Sequence, residues 1–435
     1  MKILIVSQYW YPENGVPQRR WSWLSNILTT AGHDVMVVAP PPHYQRKVTR
    51  REWLQALRTS SSPEVGPSGE LILRSPYIPD SRSLTSRVLN QAFVAAGMIT
   101  MAIRKSSGIR EFKPEIVIGT VPAIPTSVVA AIIGRVFDVP YMVDLRDAWP
   151  DLLDQAAGWN RSIGEKSIRE KLLSNGPLQI LTAITRKAIY RTLRNSQGIL
   201  VTSDFLRSQL LGKKELEGGS FRITTIRNVF PPKTPIKRQH GGRSKKNSLN
   251  VLYAGTLGRA QNLANAIEAA NMVASRGIHI HLRLIGAGAA REPLTRLVEH
   301  SKARISIENR RPADELGDCY EWADTALVHL TDWEPLARAV PSKTYELMEA
   351  GIHISGVVTG ETAELISKLH AGDVVNPEAP EDLANLWCDL ARDPSRLSVS
   401  SEGLDWVNSE RTEVVPPSLL NAVSEAQHYK RKRGK

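Results

Sequence analysis

Short apolar runs that read as strands alternate with longer segments of helical period along almost the whole chain. This alternation restricts the fold to parallel sheets covered by helices. In the first half, Ile3 to Val6 reads as a strand, Pro17 to Ala31 as a helix and Val35 to Ala39 as a second strand after the Gly32-His33-Asp34 turn. Glu115 to Gly119, Tyr141 to Asp144, Gly198 to Thr202 and Arg222 to Ile226 continue the series. Pro231 to Asn247 is rich in Pro, Lys, Arg, Gly and Ser and lacks apolar periodicity, so it reads as a linker. A second series follows in Leu249 to Tyr253, Ile280 to Ile285, Ile305 to Ile307, Thr325 to Val328, Ile352 to Gly356 and Asp373 to Val375. The expected fold class is α/β, with two doubly wound Rossmann-like domains facing a central cleft. Domains are assigned to 1–230 and 249–395, with 231–248 as linker. Residues 396–435 read as a terminal helix and basic tail, placed back against the first domain.

A chain of 435 residues is long enough for two such cores. The net charge of +12 and pI near 9.7 favour an anionic partner: nucleic acid, anionic lipid or a phosphorylated substrate. Cys319 and Cys388 are the only cysteines, which argues against a disulfide framework or a cysteine-based zinc site. Met1 leads directly into an apolar strand with no cleavable signal pattern, and no window has the apolar length of a spanning helix. The expected location is the cytoplasm. Zinc spacing, a helix-turn-helix signal and aromatic–basic interleaving are all lacking, so a nucleic-acid partner is not expected.

Val340-Pro341-Ser342-Lys343-Thr344-Tyr345-Glu346-Leu347-Met348-Glu349-Ala350-Gly351 is the stretch with the clearest chemistry. Pro341 and Ser342 read as a capped helix start. Lys343 then lies in the first turn, a poor place for a cation unless an anion binds there. Glu346 follows on the same face, where its carboxylate can accept hydrogen bonds from ribose hydroxyls. A bare cap with a surface Lys–Glu pair explains the spacing equally well. At the start of the chain, Gln8 to Pro17 forms a loop after the first strand, with Gly15 at a helix start. Arg146 and Asp147 follow the strand Tyr141 to Asp144. The second half holds two glycine loops, Tyr253-Ala254-Gly255-Thr256-Leu257-Gly258-Arg259 and Leu284-Ile285-Gly286-Ala287-Gly288. The first is neither a Walker loop nor a dinucleotide fingerprint.

Together these elements resemble retaining glycosyltransferase family 4 from Met1 to about Asp393, in the branch acting on fucosamine and colanic-acid type sugars. Its marks are Pro-Ser-Lys, then Glu, then Ala-Gly, and the run Arg146-Asp147-Ala148-Trp149-Pro150. The resemblance implies the GT-B fold, a retaining and metal-independent sugar transfer, and a UDP- or GDP-sugar as donor with no cofactor. Donor binding is assigned to Gly15, Gly255, Gly258, Arg259, Arg310, Ser342, Lys343 and Glu346, and catalysis to Arg146 and Asp147. One departure stands out. Many relatives carry two glutamates eight positions apart; Glu346 matches the second, and Arg338 reverses the charge of the first, with Glu334 four residues too early.

The leading reading is a glycosyltransferase of cell-surface polysaccharide or glycoconjugate synthesis, acting on a glycan or polyprenyl-linked acceptor. Alternatives are a sugar-nucleotide epimerase of the same fold and a non-enzymatic anion or nucleic-acid binder. An anionic membrane surface is a further partner. Ser83 to Lys105 is helix-compatible, unusually apolar and bracketed by basic residues, as an interfacial helix with Phe93 and the methionines inserted would be; a core-facing helix fits it too.

Overall fold

The computed structural model describes residues 1–13, 15–42, 63–78, 84–104, 108–121, 125–149, 151, 177–232, 246–312 and 315–433. Most of the expected linker lies outside them. The chain divides into two compact units: one of Met1–Pro150, Asn175–Phe230 and Val414–Lys435, the other of Asp151–Ser174 and Pro231–Glu413.

The first unit holds an eight-stranded sheet. Its strands are β1 (Lys2–Val6), β2 (Asp34–Ala39), β3 (Glu64–Val65), β4 (Leu71–Arg74), β5 (Ile116–Val121), β6 (Tyr141–Leu145), β7 (Gly198–Val201) and β8 (Arg222–Thr225). Their order is β3-β4-β2-β1-β5-β6-β7-β8, and every pairing is parallel except β3 with β4. The sequence reading passes over β3 and β4. β3 has two residues, both exposed, and the four residues of β4 are too few to show a period. The strand order reverses between β1 and β5, which opens a crevice at their carboxyl ends. The Ser7 and Thr120 hydroxyls are 2.9 Å apart there.

The helix Val16–Thr30 covers this sheet and buries Trp21, Leu24 and Leu28 at helical spacing. The same face carries Arg20, which is fully buried. Its guanidinium donates to both oxygens of the equally buried Asp144 (2.8 and 3.3 Å) and to the Ile226 carbonyl (2.7 Å). Trp21 Nε1 adds 2.7 Å to Asp144 Oδ2. A buried charge is tolerated only when paired and hydrogen-bonded in this way.

The second unit holds β9 (Ser248–Thr256), β10 (His279–Ala287), β11 (Arg304–Glu308), β12 (Thr325–His329), β13 (His353–Val357) and β14 (Gly372–Val375). They are all parallel, in the order β11-β10-β9-β12-β13-β14. This is the 3-2-1-4-5-6 order of a dinucleotide-binding sheet, with its switch point between β9 and β12. Leu249, Val251, Leu282 and Leu284 from the sheet pack with Ala270 and Val273 of the helix Ala264–Ser275 and with Leu383, Trp387 and Leu390 of the helix Pro380–Arg392.

The helix Leu84–Ile103 differs from the interfacial expectation. Asn90, Val94, Met98 and Ala102 lie in the core, so Met98 is not available for insertion. The opposite face exposes Leu89 (62%), Phe93 (41%) and Ile103 (53%). Among the described residues no helix is long and apolar enough to cross a membrane.

Candidate functional site

In the second unit the candidate residues gather at the carboxyl end of the sheet. β9 runs into Gly255 and Thr256, and Gly258 starts the short helical turn Arg259–Gln261. The neighbouring β10 ends in Gly286 and Gly288 because the two strand ends press together. A Cβ at Gly286 would strike the Gly255 carbonyl, and one at Gly288 the Leu257 carbonyl. Leu257 N donates to the Ala287 carbonyl (3.0 Å) and Ala290 N to that of Leu257 (2.9 Å). The glycines at 286 and 288 therefore shape the loop that carries Gly255 and Gly258.

Beside this loop stands His329, the last residue of β12, 2% exposed. Its Nε2 lies 3.0 Å from the Asn265 amide nitrogen, and Thr331 N donates to the Ala260 carbonyl at 2.9 Å. An amide N–H₂ only donates, so Nε2 accepts and the imidazole is neutral. Burial pushes its pKa down to about 3. His329 thus fastens β12 to the helix that follows the glycine loop.

The helix Ser342–Glu349 begins next to β12, with Pro341 as its cap residue and no side-chain capping bond. This corrects the expected cap: Ser342 is the first helical residue and does not cap the helix; Thr344 N donates to the Pro341 carbonyl (2.9 Å), and no side-chain cap bond occupies the N–H groups of Ser342 and Lys343, which can meet an anion. Lys343 Nζ donates to Glu346 Oε2 (3.0 Å) and to the Tyr320 hydroxyl (2.9 Å), which in turn donates to Glu346 Oε1 (3.0 Å). Lys343 has three donors, and these bonds use two; each Glu346 oxygen keeps a lone pair. The half-buried triangle can therefore take a phosphate oxygen on Lys343 and a ribose hydroxyl on Glu346 without being dismantled. Tyr320 escapes a reading by spacing because it lies 23 residues before Lys343, on a different helix, Gly317–Trp322.

Arg259 is half-buried in the turn after Gly258, and Arg310 is exposed beyond the end of β11. β11 lies two strands from β9, about 10 Å across the sheet, and its end is tied to the glycine turn of β10 by Arg291 Nη1, which donates to the carbonyls of Gly286 (3.0 Å) and Glu308 (2.8 Å). The Glu308 side chain binds Arg283 through both oxygens (2.6 and 2.9 Å) and Arg311 at 2.6 Å, and these partners, Arg283 foremost, hold the Glu308 carboxyl below its ordinary range. Arg338 is buried, bound to Asp151 Oδ2 at 2.9 Å and to Glu334. The reversed charge at this position is thus already matched by two carboxylates.

In the first unit, Gly15 caps the helix Val16–Thr30 with extended backbone (φ −99°, ψ 173°), and its N–H donates to Gln18 Oε1 at 3.1 Å. Its loop leads from β1 to that helix, at the switch point. Arg146 and Asp147 follow β6, but among the described residues no ion pair joins them. Instead Arg146 Nε donates to the Val121 carbonyl at the end of β5 (3.2 Å), and Thr202 Oγ1 donates to the Arg146 carbonyl (3.0 Å). Loss of hydration lowers the Arg146 pKa against the pull of Asp144 and Asp147. The same cause raises the Asp147 carboxyl above the carboxylate range, with Arg146 opposing; the residue still reaches solvent, which limits that push. Arg146 is therefore held by its bonds to β5 and Thr202, while Asp147 faces solvent beside it. Among the described residues no cluster of three His, Cys, Asp or Glu residues could hold a metal ion.

Residues 248–393 match the family model described as glycosyl transferases group 1. A comparison with curated proteins gave no match. Several solved structures match over nearly the whole length. Sucrose-phosphate synthase from Thermosynechococcus elongatus is 14% identical, with a TM-score of 0.67 and coverage of 100% of this chain and 99% of its own. Anabaena HepE in complex with UDP-glucose is 14% identical, with a TM-score of 0.62 and coverage of 98% and 99%. The lipopolysaccharide outer core galactosyltransferase WaaB is 13% identical, with a TM-score of 0.57 and coverage of 97% and 99%. The chain has the GT-B glycosyltransferase fold of two Rossmann-like domains, and its second domain carries the group 1 match.

Proposed function

We propose that the protein is a glycosyltransferase that moves a sugar from a nucleoside-diphosphate donor to a glycan or polyprenyl-linked acceptor, with retention and without a metal ion, in cell-surface polysaccharide or glycoconjugate synthesis. The observation that carries this reading is the Lys343–Tyr320–Glu346 triangle on an uncapped helix start, within the domain that matches group 1. Lys343, Arg259 and the first-turn N–H groups would neutralise the leaving diphosphate, a task otherwise given to a divalent ion. Glu346 would hold the ribose. HepE is described with UDP-glucose bound, which supports a nucleotide sugar as donor here.

The role assigned to Asp147 is to orient the acceptor or stabilise the transition state. Its carboxyl sits, exposed, just past the carboxyl end of β6, where ligands of doubly wound sheets bind. No enzymic nucleophile is required, since the leaving phosphate can itself receive the acceptor proton. The work is assigned to the inner face of the cytoplasmic membrane, with Leu89, Phe93 and Ile103 as the apolar contact.

The test is incubation with labelled UDP- and GDP-sugars, with and without lipid-linked acceptors, followed by NMR of the product anomer. Transfer with retention is expected. Conversion of the donor in the absence of acceptor would instead favour an epimerase.

A further inference from the structure

At the other end of the first sheet lies a cavity that the proposed transfer does not use. It has a volume of about 900 Å³ and sits at the amino ends of β7 and β8, beside the carboxyl-terminal half of the helix Pro177–Asn195. The helix turns one face toward it, with Arg186, Lys187, Tyr190, Arg191 and Arg194 at spacings of one, three and four residues. Among the described residues Glu215 is the one carboxylate on its lining. Among the described residues, Lys187, Arg191 and Arg194 form no ion pair or side-chain hydrogen bond. Lys187 with Arg191 and Arg191 with Arg194 are like-charge helix neighbours, an arrangement that costs stability when no anion lies between them.

Gly218, on the opposite wall, has φ +68°, which favours glycine, and a Cβ there would stand in ordinary contact with Arg194 Nη2 at 3.4 Å. The ring of Tyr190, 7% exposed, closes the inner side.

We infer that this cavity is a second anion site, built for a ligand carrying a diphosphate or two neighbouring phosphates. Two unpaired guanidinium forks three residues apart match phosphate oxygens bidentately, and Lys187 adds a point charge. Carboxylate ligands fit less well, because a single charge would leave most of the repulsion in place. The site is separate from the Lys343 triangle in residues and in unit. Two sources offer this chemistry: a free diphosphate in solution, or the headgroup phosphates of an anionic lipid.

The experiment uses the full chain, with inorganic pyrophosphate as the soluble probe and phosphatidylglycerol vesicles as the lipid probe. Pyrophosphate titration by calorimetry is compared for the unaltered chain, Lys343→Ala and Arg191→Glu/Arg194→Glu, with Arg191→Gln/Arg194→Gln as the milder pair should charge reversal lower the melting temperature. The expected result is pyrophosphate binding that survives Lys343→Ala and weakens at least tenfold in the Arg191/Arg194 variants. Loss of vesicle binding alone in those variants assigns the phosphate to lipid and upholds the site. Variants that fold and leave both pyrophosphate and vesicle binding unchanged would overturn it. Neither result depends on sugar transfer, so the fate of the proposed function is read separately.

Discussion

At the scale of single residues, the account turns on side chains whose bonds leave capacity for a ligand. Lys343→Ala is expected to weaken nucleoside-diphosphate binding by about 1.5–3 kcal/mol, the usual worth of a charge-assisted bond. Glu346→Gln should weaken binding of the nucleoside part with the fold intact. Calorimetry with UDP and GDP checks both, and unchanged affinity in both variants would remove the helix from the donor site. Asp147→Asn should lower turnover more than donor affinity, and steady-state kinetics with full turnover would reduce Asp147 to a loop residue. His329 makes a separate, pH-dependent prediction. The unfolded imidazole takes a proton near pH 6.5 and the folded one only near about 3, so between these values the unfolded state binds more protons. The contribution of His329 to stability is complete above about pH 6.5 and is lost as pH falls, by about 1.4 kcal/mol per pH unit. Chemical denaturation at pH 7.5 and pH 5 should show this loss, and His329→Asn should shrink it; equal pH slopes would contradict the buried neutral histidine. Lys343 and Glu346 were legible in the sequence because one helix holds both. Tyr320 was not, because the bond that matters joins residues on two helices.

At the scale of elements, β1, β2, β5, β6, β7 and β8 and the six strands of the second sheet were readable from apolar runs, each within about three residues of its observed ends. The strands missed, β3 and β4, owe their place to pairing with β2 rather than to a period of their own. The helix Val16–Thr30 was legible as amphipathic, yet the meaning of Arg20 on its buried face appears only with Asp144, 124 positions away. Asp144→Ala should destabilise the first unit by about 3–5 kcal/mol, because it leaves a buried guanidinium without its carboxylate. A melting curve shifted by much less would contradict the pairing. In the second unit, the tight meeting of β9 and β10 makes Gly286→Ala a test of the glycine loop: added bulk against the Gly255 carbonyl should lower both stability and donor binding. The same crowding explains why glycines recur at 286 and 288, which the sequence displays but cannot by itself assign to packing.

At the scale of the whole molecule, the two α/β series translate into two parallel sheets, and the second adopts the strand order that places a switch point beside the glycine loop. The basic balance of +12 is spread unevenly. Basic residues neutralised in buried pairs, such as Arg20–Asp144 and Arg338–Asp151, add nothing to it, whereas those on the helix Pro177–Asn195 lie open. Composition alone does not distinguish these fates, because it records charge without partners. The exposed face of Leu89, Phe93 and Ile103 predicts flotation with anionic vesicles at low salt, reduced by Leu89→Ser/Phe93→Ser and by high salt. Protein that stays in solution under all these conditions would leave a soluble acceptor as the better assignment. The central claim is donor recognition by the second unit, and the most direct test is calorimetric titration of the intact protein with UDP, GDP and their sugar conjugates, beside the Lys343→Ala variant. The account predicts saturable binding of at least one nucleoside diphosphate and its sugar conjugate, weakened at least tenfold by Lys343→Ala. Absence of binding by every one of them, or binding indifferent to Lys343, would contradict it.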